Sequence, residues 1–347
     1  MKVAFTTLGC RTNQHDTAEM QVILEKEGYS IVNSSETADV YVVNTCTVTA
    51  RSDYSSRLAV KKSLAINENA TVVFTGCYAQ LNPKDSAKIE GLDIVLGNVD
   101  KLKIAEVLKT KLKKNSLQKT SGLAEIYMSD IHADREFQTL PITQFQGRTK
   151  AFIKVQTGCN ENCSFCTVVR ARGSSASDTR GNILDNIRHA IDGGYKEITL
   201  TGINLGTWGM DFHSKETFSS LVEDIANING DFRVRLSSIN PMEIDDHLIE
   251  LVAQHEKICP HLHIPLQSGD TEILSKMRRN YDAKQYENIV RRAADNIPSL
   301  GLGADVIVGF PGESEESFER TLRLIKELPF SYLHIFSYSP RSGTEAH

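Results

Sequence analysis

Apolar residues in the first hundred positions alternate between short continuous runs and a helical period. The short runs predict four strands, over Lys2–Leu8, Val40–Asn44, Thr71–Gly76 and Asp93–Gly97. The helical period between them predicts four helices, over Thr17–Glu27, Arg51–Ile66, Pro83–Glu90 and Lys101–Leu112. Alternation of this kind is typical of an open parallel sheet with helices on its faces. We therefore predict an N-terminal α/β domain over residues 1–112.

This pattern is lost over residues 113–147 and returns at Arg148. The intervening stretch is polar and irregular and follows the basic run Lys109–Lys114, so we predict a linker. From 148 to 347 the strand and helix patterns alternate again. The six predicted strands are Ala151–Gln156, Glu197–Gly202, Phe232–Ser238, His261–Leu266, Gly303–Gly309 and Tyr332–Ser337. Six β/α repeats predict a partial (β/α)6 barrel that resembles a TIM barrel.

Length and composition are those of an ordinary globular protein. The 347 residues are 40% hydrophobic and 24% charged, which is enough for a sizeable core. No apolar run approaches the roughly 18 residues that span a bilayer, and the N-terminus lacks a secretion signal. We therefore expect a cytoplasmic protein with no membrane partner. The formal net charge of −5 argues against indiscriminate binding to DNA or RNA, although a local basic groove is compatible with it.

Cys159, Cys163 and Cys166 form a C-x3-C-x2-C run after the first predicted barrel strand. Thiolates favour iron–sulfur clusters, zinc or copper. Three cysteines on a four-iron cube would leave one iron open to a ligand that is not protein, which indicates chemistry at the cluster. The alternative is a structural zinc site, but this needs a fourth ligand, and no second C-x2-C or H-x3–5-H pair follows.

A second cysteine trio is distributed along the N-terminal domain. Cys10, Cys46 and Cys77 each come just after a predicted parallel strand. The carboxyl ends of parallel strands meet at one edge of the sheet, where open α/β sheets bind ligands. We therefore predict a second cluster there, against the simpler interpretation that cysteine is a small and often buried residue.

Motifs along essentially the whole chain resemble those of radical S-adenosylmethionine enzymes. The C-x3-C-x2-C loop is similar to the signature of that superfamily, and the two trios together resemble its methylthiotransferases. Five runs are similar to those of the subgroup that modifies N6-threonylcarbamoyladenosine at position 37 of tRNA. These runs are Thr7–Gln14, Leu200–Gly206, Arg235–Pro241, His261–Gly269 and Asp305–Glu313.

The resemblance implies a tRNA methylthiotransferase with two [4Fe–4S] clusters and S-adenosylmethionine as cofactors. The trio Cys159, Cys163 and Cys166 would hold the cluster that binds S-adenosylmethionine, whose cleavage would give a 5′-deoxyadenosyl radical. The N-terminal trio would hold an auxiliary cluster that delivers methylated sulfur, and a second S-adenosylmethionine would supply the methyl group. The product would be 2-methylthio-N6-threonylcarbamoyladenosine. The implied partners are the tRNA anticodon loop with adenosine 37 and a reductant such as flavodoxin or ferredoxin.

Residues that follow the later barrel strands are candidates for contact with S-adenosylmethionine, because this end of a barrel holds the active site. They are Thr201, Gly202, Ser237, Gln267 and Ser268. Gly202 would permit a close approach of the backbone to the cofactor. No catalytic side chain beyond the cluster ligands is predicted.

Other residues are explained more simply by packing. Cys259 has no spaced partner and is predicted to be structural. His261 and His263 alternate on a strand, which is compatible with a metal pair, but we favour a barrel-lining role. Trp208 is the only tryptophan, and packing is favoured over stacking on a base.

Two features near the cluster loop bear on substrate recognition. Arg170, Arg172 and Arg180 are equally compatible with binding a phosphate or carboxylate and with structural ion pairs. The run Ser174–Asp178 stands where related enzymes have a charged segment.

The resemblance also implies a small C-terminal β-barrel that binds tRNA. The sequence reaches His347 where that module would be approached, so we expect it to be absent here. The nearest competing function is methylthiolation of a ribosomal-protein aspartate. The sequence is also compatible with a non-enzymatic iron–sulfur or zinc protein and with an enzyme that inserts sulfur into a small molecule.

Overall fold

The computed structural model describes residues 1–113, 122–133, 137, 139–142, 149–214 and 216–347. The chain forms two compact units, one of residues 1–136 with 167–174 and one of residues 137–166 with 175–347. This division differs from the predicted boundaries at 112 and 147. The segment 167–174, directly after the C-x3-C-x2-C run, belongs to the first unit.

The first unit contains a six-stranded parallel sheet. Its strands are β1 (Lys2–Thr7), β2 (Ser30–Val32), β3 (Val40–Thr45), β4 (Thr71–Gly76), β5 (Ile94–Leu96) and β6 (Glu125–Tyr127). They lie in the order β2-β1-β3-β4-β5-β6. Every residue of β3 and β4 is buried, as expected for a parallel sheet that is covered on both faces.

Six helices belong to the described residues of this unit. They are α1 (Arg11–Lys26), α2 (Ala50–Ile66), α3 (Cys77–Leu81), α4 (Pro83–Ser86), α5 (Ile104–Lys113) and α6 (Val168–Arg172). A 3₁₀ turn at Asp100–Lys103 precedes α5. The predicted open α/β fold and its four strands are confirmed. Strands β2 and β6 were not predicted, and β6 lies inside the segment that we predicted to be a linker.

The second unit, where the structure describes it, has six parallel strands and a short antiparallel pair. Its strands are β7 (Ala151–Lys154), β8 (Gln156–Thr157), β9 (Ala176–Ser177), β10 (Glu197–Thr201), β11 (Arg233–Leu236), β12 (His261–His263), β13 (Gly301–Val308) and β14 (Tyr332–Ser337). Strands β7, β10 and β11 form one parallel sheet and β12, β13 and β14 another, while β8 pairs with β9. Val234 joins the two sheets, because its N–H donates to Lys257 O (2.7 Å) and its carbonyl accepts from Cys259 N (2.8 Å). The predicted six-stranded partial barrel is confirmed.

Each of the six described helices of the second unit begins at a Ser, Thr or Asp side chain that accepts a backbone N–H, and each such cap contributes about 1 kcal/mol. The helices are α7 (Arg180–Asp192), α8 (Phe218–Ala226), α9 (Asp246–Gln254), α10 (Thr271–Lys276), α11 (Ala283–Asn296) and α12 (Glu315–Glu327). Their caps are Thr179, Thr217, Asp245, Asp270, Asp282 and Ser314. Short 3₁₀ turns occupy Leu205–Thr207 and Pro241–Glu243.

The structure confirms two of the packing predictions. Trp208 is fully buried, and its indole N–H donates to Asp178 O at 2.8 Å. Cys259 is buried next to β11, and burial raises the pKa of its thiol.

In the described part of the chain, no helix is both long enough and apolar enough to cross a membrane.

Candidate iron–sulfur sites

The N-terminal cysteines lie at one edge of the first sheet, as predicted. Cys10 follows β1 and caps α1, Cys46 follows β3, and Cys77 follows β4 as the first residue of α3. These three strands are adjacent in the sheet, so their carboxyl ends meet. Two of the cysteines, Cys10 and Cys77, stand at helix N-termini.

Glycines immediately before Cys10 and Cys77 permit this convergence. Gly9 has φ +89°, and a Cβ there would lie 2.8 Å from Cys46 Sγ. Gly76 has φ +96°, and a Cβ there would overlap the backbone of Thr45. Any larger residue at either position would be strained and would push the cysteines apart.

The sulfurs of each trio are too widely spaced, as they stand, for all three to bind a single zinc ion. Zinc–sulfur bonds of about 2.3 Å bring the sulfurs on one ion to within about 4.6 Å of one another. Among the described residues, neither trio has all three of its sulfurs within 4.8 Å of one another. A four-iron cube is bound at different irons, so its thiolates are further apart. None of the seven cysteines forms a disulfide bond with a described residue, as iron ligation requires.

Two buried cations lie near the N-terminal trio and share one carboxylate. Asp16 Oδ2 is 2.8 Å from Lys101 Nζ and 3.0 Å from Arg172 Nη2, and all three side chains are about 5% exposed. Burial lowers the pKa of Lys101, against the opposing charges of Asp16 and Cys77. Burial alone would also lower the pKa of Arg172, but Asp16, Cys77 and Cys10 raise it. The two cations therefore lie within electrostatic range of the thiolates and stabilise negative charge at this edge.

Two asparagine side chains connect the segments at this edge of the sheet by hydrogen bonds. Asn13, three residues after Cys10, donates from Nδ2 to Leu8 O and Thr45 O, both at 2.8 Å. Asn98 donates from Nδ2 to Ala171 O at 2.7 Å and approaches Cys77 Sγ at 3.9 Å. Asn13 therefore holds the backbone next to Cys10 and Cys46, and Asn98 contributes a weak hydrogen bond to the sulfur of Cys77.

The second trio lies on a loop that is anchored to its own unit. Ser164, between Cys163 and Cys166, donates from Oγ to Lys276 O (2.7 Å) and from its N–H to Met277 O (3.1 Å). Cys166 N donates to Cys163 O at 3.1 Å, which closes a turn. The end of α10 therefore supports the loop.

Arg279 is the charged partner of this trio. Its Nη1 lies 3.2 Å from Cys163 Sγ, and its Nη2 donates to Asn240 Oδ1 at 2.7 Å. Its guanidinium also stacks on Tyr281, 5.0 Å from the ring centroid. Burial raises the pKa of Cys159 to about 11, and the Cys163 thiolate adds to this effect. A bound metal would favour the thiolate form of Cys159.

The predicted contacts with S-adenosylmethionine lie at or after the ends of their strands. Thr201 ends β10 and is buried, and Ser237 follows β11. Gln267 adopts φ +65°, and its N–H donates to Asp305 O. Ser268 is fully buried, and its hydroxyl lies 3.2 Å from Thr321 Oγ1. The contact of these residues with the cofactor stays a prediction.

Gly202 makes room for a residue that the sequence did not single out. A Cβ at Gly202 would lie 3.0 Å from Gln156 Oε1. Gln156 is fully buried, and its Oε1 accepts from the N–H groups of Ile203 and Asn204, both at 2.9 Å. Its Nε2 donates to Gly158 O at 2.8 Å, next to Cys159. This one side chain links the cluster loop to the turn after β10.

Glu243 is a further polar residue near the second trio. Asn240 donates from Nδ2 to Glu243 Oε1 (3.1 Å) and to Asn204 Oδ1 (2.8 Å). Burial raises the pKa of the Glu243 carboxyl, and its charge also raises the pKa of Cys159.

Arg180, which the sequence offered as a ligand for phosphate or carboxylate, forms structural ion pairs with Glu216 at 2.8 Å and with Asp224.

Comparison with known proteins identifies the family. The family model of the Radical SAM superfamily matches residues 153–325. The model of the uncharacterized protein family UPF0004 matches residues 2–97. The threonylcarbamoyladenosine tRNA methylthiotransferase MtaB of Aquifex aeolicus strain VF5 is 40% identical over 346 residues, which are 100% of this chain and 82% of that protein. The chain belongs to the radical S-adenosylmethionine tRNA methylthiotransferase family.

Other members of this methylthiotransferase family are similar over nearly the whole chain. MtaB of Bacillus subtilis strain 168 is 38% identical over 99% of this chain and 75% of that protein. The tRNA-2-methylthio-N(6)-dimethylallyladenosine synthase of Clostridium botulinum strain Loch Maree is 36% identical over 98% of this chain and 75% of that protein.

Solved structures show the same fold at low identity. The radical S-adenosylmethionine methyltransferase TsrM of Kitasatospora setae superposes with a TM-score of 0.68 at 15% identity, covering 96% of this chain and 72% of that one. Radical SAM enzymes carry a [4Fe–4S] cluster and use S-adenosylmethionine, and the C-x3-C-x2-C loop has three thiol donors for such a cluster.

Proposed function

We propose that this chain transfers a methylthio group to C2 of N6-threonylcarbamoyladenosine at position 37 of tRNA, using two [4Fe–4S] clusters. The observation that carries the proposal is the pair of separate cysteine trios, one at the strand-end edge of each unit. Cys159, Cys163 and Cys166 would hold the cluster that binds S-adenosylmethionine. Cys10, Cys46 and Cys77 would hold the auxiliary cluster.

Two cluster sites suit the chemistry of this reaction. An aromatic C–H bond is inert to acids and bases at neutral pH, so its replacement by C–S needs both a radical and a sulfur source. When bound, the clusters and S-adenosylmethionine supply these two components. Cations support both sites: the partly buried Arg279 contacts Cys163, and the buried Lys101 and Arg172 lie near the N-terminal trio.

The named relatives support tRNA as the substrate and the threonylcarbamoyl group as its modification. MtaB proteins of three organisms match at 36–40% identity over nearly the whole chain. The dimethylallyladenosine synthases match at 36%, so the two tRNA substrates are the ones to distinguish. We infer that the remaining partner is a one-electron reductant such as flavodoxin or ferredoxin.

Nucleoside mass spectrometry of tRNA tests the proposal. Cells that lack this protein should accumulate N6-threonylcarbamoyladenosine without the methylthio group, and the wild-type chain should restore the modification. Cys46→Ala and Cys163→Ala should each fail to restore it, whereas Cys259→Ala, which changes a buried cysteine outside both trios, should succeed. If the cells that lack this protein instead lose the methylthio group of dimethylallyladenosine, or that of a ribosomal-protein aspartate, the enzyme acts on that other substrate.

Iron analysis tests the two clusters separately from the substrate. Anaerobically reconstituted protein should hold about eight irons, and a variant of either trio about four. A total of about four irons in the wild type, all lost in Cys163→Ala, would leave the N-terminal trio without a cluster.

A further inference from the structure

Three side chains on neighbouring strands of the second unit point to one spot. His263 ends β12, Asp305 lies in β13 and His334 lies in β14. In the parallel register, His263 pairs with Gly303 and Asp305 pairs with His334. Positions that are paired or two residues apart share a face of the sheet, so all three side chains lie on the same face. The other face of β13 is apolar, and its residues Leu302, Ala304 and Val306 are fully buried.

The distances between the donor atoms match those around one metal ion. His263 Nε2 is 3.1 Å from Asp305 Oδ1, and His334 Nδ1 is 3.2 Å from the same oxygen. One donor atom from each residue lies within 4.8 Å of the other two, which is true of no other set of three His, Cys, Asp or Glu residues in the part of the chain that the structure describes. Metal–ligand bonds of about 2.0–2.2 Å place the donors of a single ion roughly 3–4 Å apart.

His263 has a buried nitrogen without a hydrogen bond. Its side chain is 9% exposed. Although Nε2 lies close to Asp305 Oδ1, it makes no hydrogen bond to any described residue. A buried polar atom in this state has lost its hydration without a hydrogen bond to replace it. A shared metal ion would satisfy the nitrogen and the carboxylate together, because both would direct a lone pair to the ion rather than to each other.

The surroundings of His263 hold its ring in place. The hydroxyl of Tyr332 lies 3.2 Å from His263 Nδ1, on the opposite side of the ring from Asp305. Metal-binding histidines commonly have their second nitrogen fixed by a hydrogen bond in this way. The Tyr332 ring lies over Gly303, where any Cβ would overlap it. Glycine at this position therefore makes room for the residue that orients His263.

We propose that His263, Asp305 and His334 bind one divalent transition-metal ion. Two imidazoles and one carboxylate favour Zn²⁺, Fe²⁺ or Co²⁺ over Ca²⁺ and Mg²⁺. Three protein ligands leave at least one position open for water or a polar group of a substrate. The site is chemically distinct from both cysteine trios, because it contains nitrogen and oxygen donors and no sulfur.

Zinc binding to the cluster-loaded protein tests this proposal. Protein with reconstituted clusters is incubated with one equivalent of Zn²⁺, dialysed, and measured for retained zinc and for zinc K-edge X-ray absorption. We expect one retained zinc with a nitrogen and oxygen shell at about 2.0–2.1 Å, and sulfur at about 2.3 Å would place the zinc on cysteines instead.

Histidine variants identify the ligands. His334→Ala changes a half-exposed side chain and should lose at least about tenfold in zinc affinity, with unchanged cluster iron. His247→Ala is the matched control, because His247 also faces a carboxylate, Glu223 at 3.5 Å, but has no third donor among the described residues. It should retain zinc as the wild type does. Failure of the wild type to retain zinc, a sulfur shell, or equal retention by His334→Ala would each overturn the proposal.

Discussion

Arg172 and Asp16 form a buried ion pair between residues that are 156 positions apart. The guanidinium Nη2 lies 3.0 Å from Asp16 Oδ2, and both side chains are about 5% exposed. Asp16 belongs to α1, which starts directly after Cys10, and Arg172 ends α6, six residues after Cys166. The first unit therefore incorporates the segment that follows the C-x3-C-x2-C loop, and it places a permanent cation near Cys10 and Cys77.

Arg172→Met should destabilise both the first unit and its cluster. Removing one partner of a buried ion pair costs about 3–5 kcal/mol, and we expect about 3 because Lys101 still pairs with Asp16. Loss of the cation should also make the auxiliary cluster harder to reduce, since local charge is one determinant of cluster potential. Urea unfolding and an EPR-monitored redox titration of the Cys163→Ala background measure the two effects.

Lys111→Met is the control for this prediction. Lys111 is also buried in the first unit and pairs with Glu125 at 2.9 Å. Its loss should lower stability without a change in the potential of the auxiliary cluster. An unchanged potential in Arg172→Met would show that Arg172 has only a structural role.

Gly9→Ala should selectively remove the auxiliary cluster. The new methyl group would lie 2.7 Å from Cys46 Cβ and 2.8 Å from its sulfur, which displaces one of the three ligands. Gly28→Ala is a matched control with a similar φ of +82° and no atom within 4 Å of the new Cβ. Both variants should lose about 1–2 kcal/mol from backbone strain. Only Gly9→Ala should lose about four irons, and equal iron contents in the two variants would contradict this account.

Arg279→Met should impair the second trio. The lost hydrogen bond to Cys163 Sγ is charge-assisted, and such bonds contribute about 1.5–3 kcal/mol. We therefore expect roughly a 10- to 100-fold lower rate of 5′-deoxyadenosine formation from S-adenosylmethionine. Arg279→Lys, which retains the charge, should recover part of the rate. Arg291→Ala removes an exposed pair with Glu287 and should have no effect, so a similar loss there would indicate a general folding defect.

Long strands were predicted correctly from the sequence, whereas short strands were missed. Strands of six residues with a continuous apolar run, such as β3 and β4, were predicted within one residue of their ends. Strands β2 and β6 have only three residues each, and three residues are too few to show a period. The cysteine positions followed from the topology of a parallel sheet, which brings distant strand ends to one edge.

Polar residues around the cysteines were not predictable from spacing. Gln156, Lys101 and Asn98 are distant in the sequence from the residues that they contact. Only the tertiary fold brings them together, and no local sequence motif marks them. Arg172 was predicted either to bind a phosphate or carboxylate group or to form a structural ion pair, and the sequence did not distinguish the two roles. The structure resolves this ambiguity in favour of the pair with Asp16.

The stability of the second unit should depend on pH through Glu197. This carboxylate at the start of β10 is 5% exposed and accepts from Arg233 and Arg235 Nε atoms at 2.8 and 2.9 Å, and from Lys150 Nζ at 2.9 Å. Burial acts to raise its pKa, but the hydrogen bonds from Arg235 and Lys150 outweigh this effect and lower the pKa to about 2. A folded-state pKa below the unfolded value of about 4.3 means that the stabilisation is present above that pH and is lost as the pH falls toward 2.

Glu197→Gln should therefore lower the stability of cluster-free protein by about 2 kcal/mol at pH 7, the loss expected for charge-assisted hydrogen bonds. The difference from wild type should shrink as the pH falls below about 4.3, because protonation removes the same charge from the wild-type protein. Thermal unfolding from pH 3 to pH 8 measures this trend. Asp231→Asn, which removes an exposed pair with Lys196, should change stability by less than about 1 kcal/mol at every pH. A deficit in Glu197→Gln that stays constant across this range would mean that packing, and not the carboxylate charge, stabilises the start of β10.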